Sequence, residues 1–169
     1  ALTPSLLQLF LTHFGRQVAV LHSCLSTGER YDEWKRARSG KARVVIGTRS
    51  AVFAPLQNLS LLILDEEQEG SYKSENTPRY HARDVAKYRC VQHNALLVLG
   101  SATPDIKTFH AASQGQIDLL RLPERVGGRP LPPVELVDTS GLAGEGLLAA
   151  RSEQALRAVL QRGEQAAVL

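Results

Sequence analysis

Acidic side chains follow one apolar run of the sequence, and small hydroxyl side chains follow another. The run Asp65–Gln68 comes directly after Leu61–Leu64, and Gly100–Thr103 comes directly after Leu96–Leu99. A carboxylate at the carboxyl end of a strand can hold Mg²⁺, and a neighbouring carboxylate can orient or deprotonate water. Taken alone, the acidic run could be only a solvated turn, and the hydroxyl-bearing run could be only a helix N-cap. Together they favour half of a nucleotide-hydrolysis site.

The other half of such a site is a glycine-rich phosphate loop with a lysine. No Gly-x-x-x-x-Gly-Lys-Ser/Thr pattern occurs in the 169 residues. The chain also contains no Met, starts at Ala1 and stops within an apolar run. We therefore expect a piece of a longer protein, and we expect this piece alone not to hydrolyse ATP.

Short apolar strands alternate with helices along the chain. The predicted strands are Gln17–Leu21, Ala42–Ile46, Ser60–Leu64 and Ala95–Leu99, and the predicted helices are Pro4–Phe14, Ser26 or Thr27 to about Ser39, Ala82–His93, Asp105–Ser113 and Ser152–Gln161. Nearly continuous apolar strands that alternate with helices are typical of a parallel sheet buried on both faces. We therefore predict an α/β fold with a mainly parallel sheet covered by helices on both faces. In such folds the chemistry lies beyond the carboxyl ends of the strands.

Composition narrows the class of protein. Hydrophobic residues make up 43% and charged residues 22%, which suits a folded domain with a core. The net charge of +3 tolerates an anionic partner without requiring one. Cys24 and Cys90 are isolated, so neither a disulfide framework nor a zinc site is expected. No apolar run approaches the ~20 residues that span a bilayer, and we expect a cytoplasmic protein with no membrane partner.

Aromatic and basic residues are concentrated in and just after the long polar stretch that follows the acidic run. These residues are Tyr72, Lys73, Arg79, Tyr80, His81 and Arg83. Aromatic faces stack on unpaired bases while cations follow phosphates, which predicts a loop that binds single-stranded nucleic acid. A solvated charged loop is the alternative. His22-Ser23 and Gly47–Ser50 also end predicted strands and can donate to phosphates, although ordinary turns have the same composition.

Several runs, in this order, carry a resemblance to a known family. They are Ala1–Pro4, Val20–Ser23, Val45–Ala51, Asp65–Glu67, Ser71–Lys73, Arg79–Asp84 and Leu99–Pro104. They resemble the PriA family of bacterial primosomal replication-restart DNA helicases, also called primosomal protein N-prime. Leu120–Gly128 is similar to the segment that leads toward the second helicase lobe of that family.

The resemblance implies a fold and a domain organisation. The family is a superfamily 2 helicase with RecA-like lobes. Residues 1–122 would form the first RecA-like lobe without its N-terminal phosphate-loop part. Residues 123–147, rich in Pro and Gly, would be a linker, and residues 148–169 would begin the second lobe.

The resemblance also implies an activity. The family couples ATP hydrolysis to 3′–5′ movement on single-stranded DNA and acts in replication restart and primosome assembly. Its cofactors are ATP and Mg²⁺, and the Cys ligands of the family's zinc lie outside this chain. The expected partners are single-stranded and forked DNA together with primosome and replication-restart proteins, in the bacterial cytoplasm at the nucleoid.

Site roles follow from the same resemblance. Asp65 would hold Mg²⁺ with ATP, Glu66 would activate the attacking water, and Gln68 would complete the catalytic set. Ser101 and Thr103 would couple hydrolysis to movement. The DNA-binding residues would be Thr3, Thr48, Arg49, Ser50, Tyr72, Lys73, Arg79 and Tyr80.

Two positions depart from the family pattern, and two other functions stay open. Gln68 stands where the family's Asp-Glu-Glu-His box has His, and Thr77-Pro78 replaces a Gly and an aromatic residue found in many members. Gln68 is the local reason to consider a non-hydrolysing DNA-binding scaffold for primosome assembly. The other alternative is a metal-dependent nuclease that uses Asp65, Glu66 and Glu67. The neighbouring strand ends carry Ser, Thr and Gly instead of further carboxylates, which counts against the nuclease.

Overall fold

The computed structural model describes residues 3–124, 127–128, 132–138 and 148–168. The chain divides into two compact units, Ala1–Leu119 and Leu120–Leu169. Much of the predicted linker 123–147 lies outside the described residues, and so do Ala1 and Leu2 of the first run that carries the resemblance. The predicted domain boundaries therefore stay predictions.

The first helix, α1 (Pro4–Phe14), has the predicted bounds because both of its ends are set locally. The Thr3 hydroxyl accepts from the Leu6 N–H at 3.3 Å, and Pro4 occupies the first turn, where its missing N–H costs nothing. Gly15 ends the helix with a φ of 52°. A short 3₁₀ turn, Gly15–Gln17, then delays the first strand to Val18.

The first sheet joins β1 (Val18–Leu21) to β2 (Val44–Gly47) in parallel, with Val18 opposite Val44 and Leu21 opposite Gly47. Helix α2 (Thr27–Arg38) connects the strands and packs on β1. It starts at a capping box, in which the Ser26 hydroxyl accepts from the Glu29 N–H and the Glu29 carboxylate accepts from the Ser26 N–H. Gly47 is required sterically, because a Cβ there would lie 2.1 Å from the Leu21 carbonyl oxygen.

The second sheet pairs β3 (Leu61–Leu64) with β4 (Leu96–Leu99), again in parallel. Helix α3 (Ala82–His93) lies between them in sequence and covers one face of the sheet. Helices α4 (Ile106–Ser113) and α5 (Ala150–Gln161) follow, the latter in the second unit. A small apolar core combines Val52, Leu64, Ala82 and Ala86 with side chains from both strands.

The predicted α/β class and parallel pairing are confirmed, but the described strands form two two-stranded sheets. Side chains of α2 occupy the open edge of β1: the Glu33 carboxylate accepts from the Val20 N–H at 2.9 Å, and Arg36 donates to the Val18 carbonyl at 3.0 Å. These are the backbone groups that a further strand would use. Among the described residues of the first unit, helix α3 covers one face of β3 and β4, and the four alternate apolar side chains on the other face are 38–64% exposed.

No helix among the described residues is both long enough and apolar enough to cross a bilayer.

Candidate functional site

The two runs predicted to share a site lie side by side at the carboxyl ends of β3 and β4. The Gly100 N–H donates to the Leu64 carbonyl at 2.8 Å, and the Glu67 N–H donates to the Gly100 carbonyl at 3.0 Å. A Cβ at Gly100 would lie 3.4 Å from the Asp65 Oδ1, an ordinary contact distance, so the two turns lie close together at this point. The parallel pairing therefore brings the acidic turn to the hydroxyl-bearing turn.

Asp65 and Glu66 are exposed carboxylates on a constrained turn. Glu66 has a φ of 51°, a left-handed conformation that residues other than glycine rarely adopt. The Asp65 carboxylate accepts from the Glu66 N–H at 3.1 Å, and the Asp65 main-chain carbonyl accepts from the Tyr72 hydroxyl at 2.7 Å. These bonds hold the turn so that both carboxylates face solvent at the edge of the sheet.

Gln68 connects the acidic turn to the turn after β4. Its amide nitrogen donates to the Glu66 carboxylate at 2.7 Å, and its amide oxygen accepts from the Ser101 hydroxyl at 2.6 Å. The Ser101 hydroxyl in turn accepts from the Thr103 N–H at 3.0 Å. A continuous hydrogen-bonded chain therefore links Glu66 to Thr103 through Gln68 and Ser101, with Thr103 taking part through its backbone only.

Glu67 differs from its two neighbours because its side chain is buried, with the whole residue 2% exposed. Its carboxylate accepts from Arg83 at 2.6 Å, from the Thr108 hydroxyl at 3.1 Å and from the Asp105 N–H at 2.7 Å. Asp105 also lies 3.5 Å from Arg83, and it caps α4 through a bond from the Lys107 N–H that lowers the pKa of its carboxyl. Glu67 is thus an internal anchor between the acidic turn, α3 and α4.

This burial corrects two predictions. The prediction that Arg83 supplies a free cation to the aromatic loop is wrong, because its guanidinium is buried against Glu67. A nuclease site built from all three carboxylates is also contradicted, since Glu67 has its oxygens occupied inside the protein. Among the described residues, no three His, Cys, Asp or Glu side chains come together as a set of metal ligands.

Arg49 joins the turn after β2 to the aromatic loop. One of its guanidinium nitrogens donates to the carbonyls of Ser71 and Lys73, at 3.0 and 2.6 Å. The guanidinium also lies 5.8 Å from the centre of the Tyr80 ring, a cation–π contact. The structure therefore brings Arg49, Lys73 and Tyr80 together, and it gives Arg49 a structural role that the sequence did not indicate.

Tyr72 links that loop to the acidic turn. Partial burial raises the pKa of its phenol, and the negative charges of Asp65, Glu69 and Glu66 raise it further. The phenol therefore keeps its proton well above neutral pH, and it remains able to donate to the Asp65 main-chain carbonyl throughout that range. The Tyr72 hydroxyl is already bonded to Asp65 inside the protein. The contact of Tyr72 with DNA stays a prediction.

The remaining predicted DNA-binding residues are dispersed. Thr48, Ser50, Lys73 and Arg79 are exposed. Thr3 is exposed as well, but its hydroxyl caps α1. The Lys73 ammonium lies 3.4 Å from Glu75, an exposed pair that leaves it free to change partner. The structure joins only Arg49, Tyr72, Lys73 and Tyr80 into one cluster.

Comparison with known proteins shows what this chain is similar to. Over 98% of its length the chain is 45% identical to replication restart protein PriA of Bacillus subtilis, of which it covers 21%. It is 51% identical to PriA of Synechocystis over 81% of its length and 37% identical to PriA of Haemophilus influenzae over 97%. The chain matches one segment of the PriA family.

The predicted resemblance to PriA is thereby confirmed. No protein-family model matches the chain. It spans about a fifth of the length of the curated PriA relatives, at 17%, 21% and 22% for the three named. The match to the Bacillus subtilis PriA extends over nearly the whole chain and so includes both turns of the candidate site.

Proposed function

We propose that this chain is part of an ATP-dependent 3′–5′ DNA helicase that acts in replication restart and primosome assembly. The observation that carries the proposal is the bridge from Glu66 through Gln68 to Ser101 at adjoining strand ends. If hydrolysis is to drive movement, the position of the carboxylate that activates water must be coupled to the position of the turn that contacts phosphate. The bridge through Gln68 provides such a connection. The similarity to PriA supports the same assignment.

In this proposal the acidic turn serves the nucleotide. Asp65 fits a magnesium ligand, because its carboxylate is exposed and keeps lone pairs free beside the bond from the Glu66 N–H. Mg²⁺ bound with ATP would neutralise charge on the phosphates. Glu66 would orient and deprotonate the attacking water. Gln68 would keep that carboxylate aligned, and a movement of the carboxylate would pass through its hydrogen bonds to Ser101 and Thr103.

The DNA strand would lie along the turn after β2 and the aromatic loop. Thr48 and Ser50 would donate to its phosphates, Lys73 and Arg79 would add positive charge, and Tyr80 would stack on a base. Arg49 would hold the turn and the loop together through its bonds to the Ser71 and Lys73 carbonyls, and Thr3 and Tyr72 would be further contacts. The expected partners are single-stranded and forked DNA and the primosome and replication-restart proteins, in the bacterial cytoplasm.

The retained hydrogen bonds of Gln68 favour the motor over the non-hydrolysing scaffold. An amide can donate and accept as the family's His does, and Gln68 does both. The missing charge therefore does not by itself disconnect the two turns.

The test is an Asp65→Ala variant of a full-length protein that contains this segment. DNA-stimulated ATP hydrolysis is expected to fall by more than a hundredfold, while the affinity for single-stranded DNA stays within about twofold. Asp118→Ala removes another exposed carboxylate of the same unit and is expected to keep full activity. Equal activity of the Asp65 variant and the unchanged protein would refute the motor assignment. The isolated residues 1–169 are expected to show no DNA-stimulated hydrolysis.

A further inference from the structure

A cavity of about 150 Å³ lies at the carboxyl end of β1, apart from the residues assigned above to the nucleotide. Its apolar part is formed by Leu21, the last residue of β1, and by Ala54, both buried. Trp34 of α2 and Phe53 add two aromatic side chains to the lining. Aromatic and aliphatic walls around a space of this size suit a flat ring system.

Polar groups without protein partners complete the lining. The Arg30 guanidinium is exposed and makes no hydrogen bond or ion pair with any residue that the structure describes. The same holds for the Ser50 hydroxyl. His22, also in the lining, uses Nδ1 to accept from the Cys24 N–H at 3.2 Å, so its other ring nitrogen is not engaged by that bond. One cation, one hydroxyl and one imidazole nitrogen thus surround an apolar floor.

The cavity adjoins both surfaces predicted to meet DNA. Ser50 belongs to the turn after β2 as well as to the lining. The Phe53 ring contacts Tyr80 edge-on, with 4.9 Å between ring centres, so the cavity wall touches the aromatic loop directly. A strand that follows the turn and the loop would therefore pass over the opening.

We infer that this cavity takes one unstacked nucleobase of the DNA strand, with Trp34 and Phe53 against the ring and Arg30 on an adjacent phosphate. The inference rests on the proposed function and adds to it a reason for preferring single strands. A base inside a duplex is paired and stacked, and it enters such a cavity only after its pairing and stacking are broken and it is flipped out. An unpaired base enters without that cost, and stacking on aromatic side chains accepts any of the four bases.

Trp34 is the only tryptophan of the chain, so its fluorescence reports on the cavity directly. The chain is titrated with a short oligothymidylate and with an abasic strand that has the same number of phosphates, and binding is followed by fluorescence anisotropy of a label on each strand. Thymidine monophosphate is a third ligand. The base-bearing strand is expected to quench Trp34 and to bind about tenfold more tightly than the abasic strand.

Two substitutions separate the base from the phosphate. Phe53→Leu is expected to weaken binding of the oligothymidylate about tenfold and to leave binding of the abasic strand unchanged, since it removes an aromatic face and its edge contact with Tyr80 but no charge. Arg30→Gln is expected to weaken binding of both the oligothymidylate and the abasic strand, since it removes a positive charge. Tyr88→Leu and Lys41→Gln remove an exposed aromatic residue and an exposed cation outside the cavity, and both are expected to behave as the unchanged chain. Phe53 is 51% exposed, so its replacement removes little core packing.

Each other outcome has its own meaning. Equal binding of the two strands with no quenching of Trp34 overturns the base cavity and leaves the proposed DNA binding standing. Quenching by thymidine monophosphate at the concentrations that suffice for the strand makes the cavity a free-nucleotide site and overturns the strand assignment. Failure of both strands to bind overturns DNA binding by this chain and the cavity with it.

Discussion

The three consecutive carboxylates after β3 have different surroundings. Asp65 and Glu66 are exposed at the end of the sheet, whereas Glu67 points into the protein and bonds to Arg83. The left-handed backbone at Glu66 marks the point where the chain reverses. A single turn therefore presents two carboxylates to solvent and buries the third as an anchor.

In the proposed function, coupling would depend on Gln68, because among the described residues its side chain alone bonds to both Glu66 and Ser101. In a full-length protein, Gln68→Leu is expected to lower the DNA-stimulated kcat about ten- to thirtyfold, since two hydrogen bonds of about 1 kcal/mol each are lost. Gln68→His restores a donor and an acceptor and is expected to recover most of the activity. Steady-state ATP hydrolysis with saturating DNA measures both.

Gln92→Leu is the matched control, because this residue is exposed on α3. It is expected to have unchanged kcat. An inactive Gln68→Leu variant that also loses DNA binding would contradict the coupling role and indicate a damaged fold.

At the scale of elements, α3 is fixed to the sheet in two ways. Ala82, Val85 and Ala86 pack on the β3–β4 sheet, while Arg83 bonds to Glu67 and to Thr108 of α4. The first contact is apolar and non-directional. The second is a buried ion pair that fixes where both helices lie relative to the acidic turn.

Glu67→Gln tests that anchor while keeping the side-chain shape. It leaves the buried Arg83 guanidinium without its closest negative partner, and the free energy of unfolding is expected to fall by about 3 kcal/mol. Chemical denaturation of the chain, followed by circular dichroism, measures the change.

The exposed pair Lys73–Glu75 offers the comparison. Glu75→Gln removes the same charge from a solvated pair and is expected to cost less than about 1 kcal/mol. Losses of equal size in the two variants would show that Glu67 is not the anchor described here.

At the scale of the whole molecule, the two faces of the β3–β4 sheet differ in how much of their apolar surface is buried. The β3–β4 sheet is covered by α3 on one face, and on the other it exposes Leu61, Ile63, Leu96 and Val98. Parallel sheets in compact domains normally bury both faces. Most of the buried residues of the first unit therefore lie around α3 and between β1 and α2.

The two thiols report on this packing. Cys24 is exposed, whereas Cys90 is a buried residue of α3, and burial raises the pKa of its thiol against the opposing effect of Arg89. With Ellman's reagent, the Cys24 thiol is expected to react within seconds. The Cys90 thiol is expected to react only at the rate at which local unfolding exposes it. Cys24→Ser should remove the fast phase and Cys90→Ser the slow one. Two fast phases in native buffer would contradict the packing of α3.

The sequence by itself determined the elements and their ends. Apolar periodicity predicted α1, α3 and the strands to within a few residues, and the caps at Thr3, Ser26 and Gly15 are local bonds that a short stretch of sequence specifies. Because parallel strands end at the same edge, the sequence also predicted that the acidic turn and the hydroxyl-bearing turn meet.

Only the tertiary structure decided which side chains are free to act. Glu67 is buried because its partners arrive from positions 16 and 38 residues further along the chain, on α3 and at the start of α4. Arg49 likewise bonds to carbonyls 22 and 24 residues away. Trp34 of α2 and Phe53 of the turn after β2 both line one cavity, although they are distant in the sequence. Contacts of this range depend on how the elements pack, and no local pattern of residues encodes them.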